Sequence, residues 1–236
     1  MPIATSRAFR SSDTGSNAAI IDPMPAPVNP RPYHSPLRAR QAAATRRRIV
    51  GAATRLFLRD GSPATSLAAV AREAGVAADT VLHVFGSKRG LLTAVMDVTI
   101  GGDDRDLPLL ERPGPQAVRL ERDQHRQLRM LAAGVTTQLE RVRPLDDILR
   151  SAATVDREAA ALLADLHLRQ RREAMTTVVG WVAAHGPLRV DERSAADTLW
   201  SLASPAAHRA FRVDLGRSAE EFRDWLADVL VRVLLP

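Results

Sequence analysis

Between Ser66 and Lys88 the chain reads SLAAVAREAGVAADTVLHVFGSK, two short apolar-periodic runs separated by a glycine and closed by a Ser-Lys-Arg cluster. These residue types suit a polyanion. Hydroxyls and the free N–H groups at helix starts donate to phosphate oxygens, and a compact ammonium meets a single one. Lys88 is the only lysine among 33 basic residues, and it falls in the first turn of a helix, where a cation opposes the helix dipole. A charge kept there at a cost to the helix implies a task.

Such groups act only if two helices hold them at a fixed angle. A helix-turn-helix needs a small residue where the helices cross, a turn residue that tolerates left-handed backbone, and an apolar residue locking the second helix onto the first. Ala71, Gly75 and Val81 stand at the matching offsets. Taken alone, this spacing also fits an ordinary helical hairpin. Before it, Ile49, Ala52, Ala53, Leu56 and Phe57 form the stripe of an amphipathic helix over 42–59, ended by Gly61 and Pro63. Thr65 and Ser66 offer N-caps for a helix through Ala74, a third helix runs over 78–84, and Ser87 caps a fourth that stops at Gly101-Gly102.

The surroundings of the motif carry a resemblance. RRIVGAATRLFLRDG, TSLAAVAREAGV and TVLHVFGSKRGLL follow one another over 47–92 in the order and spacing of the tetracycline-repressor (TetR) family of bacterial transcriptional regulators. The resemblance implies an all-α fold, with an N-terminal three-helix helix-turn-helix DNA-binding domain and a C-terminal helical bundle for ligand sensing and dimerisation. It makes 78–84 the recognition helix and places phosphate contacts on Thr65, Ser66, His83 and Lys88. Ala77, Ala78, Asp79, Thr80 and His83 are the candidates for facing bases: the alanines and the Thr80 methyl suit a thymine methyl, and Asp79 suits cytosine N4. Asp79 equally suits its own helix, since a carboxylate in the first turn is favoured there. Leu82 and Val84 stand where the family usually has tyrosines, so more of the phosphate grip falls on His83 and Lys88.

Composition agrees with a helical DNA binder. Alanine, leucine, arginine and glutamate dominate and aromatic residues make up 4%, which favours helices over strands. Residues 1–100 carry 13 basic and 6 acidic side chains and 101–236 carry 20 and 21, so the basic excess lies beside the motif. Residues 1–40 hold 7 of the 15 prolines without helical or strand periodicity and are expected to be a disordered extension, with Met24 an alternative start. The DNA-binding domain is placed at 41–101, with the motif at about 66–85, and the C-terminal domain at 102–236. There, long helices are expected over 116–141 and 156–185, a short one after Pro144, and others near 192–203 and 219–235.

The final helix presents Phe222, Trp225, Leu226, Val229, Leu230, Val233 and Leu234 as a wide apolar face, which with the resemblance predicts a homodimer through the C-terminal helices. The partners expected are double-stranded DNA, as a palindromic operator, and a small-molecule effector. The effector is not legible; Met130, Trp181 and Trp200 either line its pocket or pack the core, and His125 and His167 read as surface residues. No catalytic constellation is present: there is no H-E-x-x-H, no phosphate-cradling glycine loop, no G-x-S-x-G and no cysteine. The pairs Asp103-Asp104 and Asp146-Asp147 are sequence neighbours, about 100° apart on a helix, and do not converge. No cofactor or metal is expected, nor a membrane span, and the cytoplasm is the expected location. The reading is a ligand-responsive repressor rather than an enzyme, with a constitutive dimeric DNA-binding module as the alternative.

Overall fold

The computed structural model describes residues 36–105 and 107–236, and among them every regular element is helical. The expected extension lies outside the described residues as far as 35. Residues 36–40 are already helical, the start of α1 (Pro36–Ala64). Gly61, at φ 77° and ψ 167°, breaks α1 as its sequence implied.

Ser66 caps α2 (Leu67–Ala74), its hydroxyl accepting from the Ala69 N–H at 3.1 Å, and Gly75 closes it in left-handed backbone at φ 64°. The recognition-type helix α3 (Ala78–Phe85) follows, then α4 (Lys88–Gly101), whose cap is the Ser87 hydroxyl. A 3-10 turn at Leu109–Glu111 leads into α5 (Pro113–Leu120).

Two expectations fail in the next stretch. The helix placed over 116–141 is interrupted at 121–123, because the Asp123 carboxylate accepts the Arg126 N–H and starts a new helix there. That helix, α6 (Gln124–Ala153), then runs straight through Pro144. A proline inside a helix costs about 3 kcal/mol. Val142, Leu145 and Leu149 around it are buried, and their packing outweighs that cost.

Asp156 caps α7 (Arg157–Ala164), which passes through a π-helical segment, Asp165–Gln170, into α8 (Arg171–Ala183). The chain closes with α9 (Glu192–Leu202), α10 (Pro205–Arg209), a second π segment at Ala210–Asp214, and α11 (Ala219–Leu234). A capping box between Ser218 and Glu221 fixes the start of α11.

Two apolar cores share the long helix α6. The first unites Ile49, Phe57, Val70, Val81, Leu91 and Met96 with Val142, Leu145 and Leu149 of α6 and Leu162 of α7. Helices α1–α4 therefore do not close a core of their own. The second packs Leu128, Val135 and Leu139 of α6 against Val178 and Val182 of α8, Leu199 of α9, and Phe222, Leu226 and Leu230 of α11. Most of the apolar face of α11 is thus covered within the chain, leaving Trp225 and Val229 half-buried and Val233 exposed. Among the described residues no helix is long and apolar enough to cross a membrane.

Candidate functional site

The helix-turn-helix is assembled by the three residues its spacing singled out. Ala71 and Val81 are buried at the crossing of α2 and α3, and Gly75 turns the chain between them, its left-handed backbone accessible to glycine without a Cβ penalty. Two arginines of the 46–48 run brace this unit, a part sequence reasoning did not assign to them. Arg48 donates to the Gly75 carbonyl at 3.1 Å, and the Arg46 guanidinium lies 4.9 Å from the centre of the Phe85 ring at the end of α3. The run of three arginines was the available signal, but sequence does not show which of them turn inward.

With the inner face locked, α3 presents Ala78, Asp79, Leu82, His83 and Val84 outward, with Ala77 exposed just before it and Thr80 half-buried. Ala77 makes no side-chain cap, so Asp79 in the first turn is the carboxylate that complements the start of α3. Ser66 is exposed at the start of α2, its hydroxyl engaged with the Ala69 N–H, and the first-turn N–H groups beside it have no intrahelical partner.

Thr65 departs from its expected role. Its side chain is buried, its hydroxyl donates to the Gly61 carbonyl at 2.8 Å, and its N–H donates to the Ser62 carbonyl. It ties off the end of α1, and no donor is left for phosphate. Lys88 is half-buried and lines a small cleft with Asp156 and Glu158 at the start of α7. Burial pulls its pKa down, and the Asp156 carboxylate opposes that shift. The lone lysine therefore stands where the helix-turn-helix meets the C-terminal body.

A second site lies along α6, between the two cores. Two adjoining chambers of about 170 Å³ and about 370 Å³ are bounded by α4, α5, α6 and α8 and share Leu109, Val135, Gln138, Ala174 and Met175. Met130 and Trp181 line the larger chamber while also packing against the second core, so both expected roles meet in them. Trp200 instead lies under the Arg171 guanidinium, 5.1 Å from its ring centre, and donates from Nε1 to the His167 carbonyl.

The smaller chamber has the polar end. Asp146 is buried there, accepting from His167 Nε2 at 2.6 Å and from Arg150 Nε at 2.7 Å. Burial pushes this carboxyl's pKa up, but the His167 and Arg150 bonds overcome it and hold the group below its ordinary value. His167 is consequently not a surface residue, since the π-helical segment turns its ring inward onto α6. Asp146 is buried, whereas Asp147 beside it pairs with Arg143 near the surface. His125 is exposed as its sequence implied. Among the described residues no cluster of acidic residues and histidines could hold a metal ion.

Residues 49–95 match the family model described as bacterial regulatory proteins, tetR family. None of the curated protein sequences matches the chain. Solved structures share its fold over most of its length. A transcriptional regulator from Saccharomonospora viridis, in complex with choline, superimposes with a TM-score of 0.62 at 19% identity, over 82% of this chain and 99% of that one. NalD, the secondary repressor of the MexAB-OprM multidrug efflux pump in Pseudomonas aeruginosa, gives 0.60 at 22% identity over 83% and 98%. The TetR-family regulator PfmR from Thermus thermophilus gives 0.57 at 24% identity over 80% and 100%. Residues 49–95 thus carry the helix-turn-helix segment of the tetR family of bacterial regulatory proteins, and the described chain shares its fold with solved regulators over nearly their whole length.

Proposed function

We propose that this protein is a ligand-responsive repressor that binds a palindromic operator as a homodimer in the cytoplasm. The observation that carries the DNA-binding part is the outward face of α3, held rigid by Ala71, Val81 and Arg48 while its own side chains stay free. Ala77, Ala78, Asp79, Thr80 and His83 are assigned to the major groove. Ser66, His83 and Lys88 are assigned to phosphate, Lys88 from the edge where it also faces α7. Leu82 and Val84 add apolar surface on α3 that suits thymine methyl groups.

Two recognition helices on a twofold dimer reach half-sites one or more helical turns apart. The remaining apolar surface of α11, Trp225, Val229 and Val233 at successive four-residue intervals, is the assigned centre of the dimer contact. Effector response is favoured over a constitutive binder by the two chambers on α6, which lie between the core of the DNA-binding helices and that of the C-terminal bundle. The relative that holds choline supports a small-molecule site within this fold, and NalD supports repression. A ligand that fits better in the state with displaced recognition helices releases DNA by its difference in affinity for the two states.

Footprinting on the DNA flanking the protein's own gene tests this reading. A protected palindrome, lost in the Thr80→Ala and His83→Ala variants, is the expected result, whereas equal affinity for all DNA sequences would defeat it. Sedimentation at micromolar concentration tests the dimer, and a 25.7 kDa species would remove it.

A further inference from the structure

The chemistry of the cavity is lopsided. Among the residues named as lining the larger chamber none is charged; it is walled by groups such as Leu110, Val118, Met130, Val178 and Trp181. The charges collect in the smaller chamber, which Asp146 and Arg171 line and where Arg150 backs Asp146.

The two basic groups are not alike. Asp146 is already engaged, one oxygen accepting from His167 and the other from Arg150. Arg171, the first residue after the π segment, donates through Nη2 to the main-chain carbonyls of Trp200 and Ala203, the latter at 3.0 Å. Both of these bonds leave from Nη2; Nε and Nη1 have no acceptor among the described residues, and Arg171 forms no ion pair there. Burial pulls its pKa down to about 10, with Asp146 opposing, so the group remains a cation at neutral pH. The inner end of the cavity thus carries one guanidinium in excess over its carboxylates.

A half-buried cation with three N–H donors unused, on Nε and Nη1, lining a largely apolar cavity fits one kind of ligand. An anionic head supplies the missing acceptors in forked geometry, and an apolar tail removes hydrocarbon surface from water. The remaining polar groups at this end agree. Gln138 and Gln170 donate through Nε2 to Ile100 O and Asp165 Oδ2 and place no further charge in the chamber. A π-helical segment next to a cavity is a frequent mark of a functional site, and this one aligns Arg171 and His167 on the same wall.

We propose that the cavity binds an apolar monocarboxylate, with its carboxylate on Arg171 and its hydrocarbon in the chamber lined by Met130 and Trp181. The assignment rests on reading the cavity as the effector site, and it names the class of effector. A quaternary ammonium such as choline is disfavoured, because its charge would meet Arg171 while Asp146, the one carboxylate lining the chambers among the described residues, already has its charge paired with Arg150.

Calorimetric titration of the full chain with decanoate, 1-decanol, decyltrimethylammonium and choline, each below any micelle-forming concentration, tests the proposal without DNA. Decanoate is expected to bind at least about tenfold more tightly than 1-decanol, the worth of one charge-assisted hydrogen bond in a dry site. Both cations are expected to bind more weakly than the alcohol. Arg171→Met should bring decanoate to within about threefold of 1-decanol while leaving the alcohol unchanged, and Arg171→Lys should keep part of the preference. The wild-type comparison decides even if the variants fold poorly. No decanoate binding, equal binding of acid and alcohol, or an acid preference that survives in Arg171→Met overturns the proposal. Decanoate binding that leaves operator affinity unchanged supports the cavity assignment and removes the effector role, so the two readings fail separately.

Discussion

The Arg47 guanidinium of α1 meets the Asp104 carboxylate at 3.2 Å, across the junction between α4 and α5. Asp103 beside it holds Arg112 at 2.6 Å, and these two pairs pin the segment that carries Leu109 into the wall of the cavity. A helix of the DNA-binding unit is therefore tied to the segment that precedes Leu109 in the wall of the proposed effector site. Exposed pairs of this kind contribute about 0.2–1 kcal/mol. Asp104→Asn should lower Tm by less than about 4 °C, yet hydrogen exchange over 103–112 should accelerate several-fold while the amides of 49–57 stay protected. Unchanged exchange in 103–112 would show that the pair does not hold the segment.

Two glycines predict opposite signs. A Cβ on Gly90, in the first turn of α4, would collide with the Phe85 carbonyl at the end of α3. Backbone cannot yield as a flexible side chain does, so Gly90→Ala should destabilise by about 1–3 kcal/mol and, by displacing α3, weaken operator binding beyond what the lost stability explains. Gly180, inside α8, has nothing within 4 Å of its notional Cβ. Gly180→Ala should stabilise by up to about 1 kcal/mol through helix propensity. Urea denaturation of the two variants checks both signs.

Gly75, Gly102 and the caps Ser66 and Ser87 act locally, through backbone within four residues, and their roles could be read directly from the chain. Thr65 could not be told from Ser66 by type, because which of two adjacent hydroxyls turns inward depends on the packing of α1. Pro144 misled for the same reason: its local cost is real, and the buried neighbours that outweigh it belong to other helices. The cavity charges were furthest from view, since Asp146, His167 and Arg171 are brought together by a π segment that has no sequence signature.

His208 should set part of the acid sensitivity. It is buried edge-on against Phe222 with ring centres 4.9 Å apart, and its Nε2 lies 2.8 Å from Glu140, with Arg143 and Arg212 also near. Burial lowers its pKa, and the Glu140 carboxylate only partly offsets this. The unfolded chain, titrating near 6.5, then binds the proton more readily than the folded one. The stability held by neutral His208 is accordingly present above pH 6.5 and is lost as the pH falls through that value towards the lower folded pKa. In His208→Gln, Tm should vary less between about pH 5 and pH 7. An unchanged pH profile would place the acid sensitivity elsewhere.

Lys88 separates the two duties its position allows. If the ammonium grips a phosphate, Lys88→Ala weakens binding to all DNA sequences and reduces the slope of log affinity against log salt by about 0.9. If it only bridges α4 to α7, the slope stays and the loss appears as stability, because Asp156 and Glu158 at the start of α7 lose the ammonium that shares their cleft. The assignment to phosphate predicts the shallower slope, and the half-buried site predicts a concurrent fall in Tm, so both should occur together. Thr80→Ala serves as the contrast: half-buried on α3 and carrying no charge, it should leave the salt slope intact and change which bases are preferred. Identical slopes for wild type and Lys88→Ala would remove this lysine from the DNA interface and leave it a joint between the two halves of the molecule.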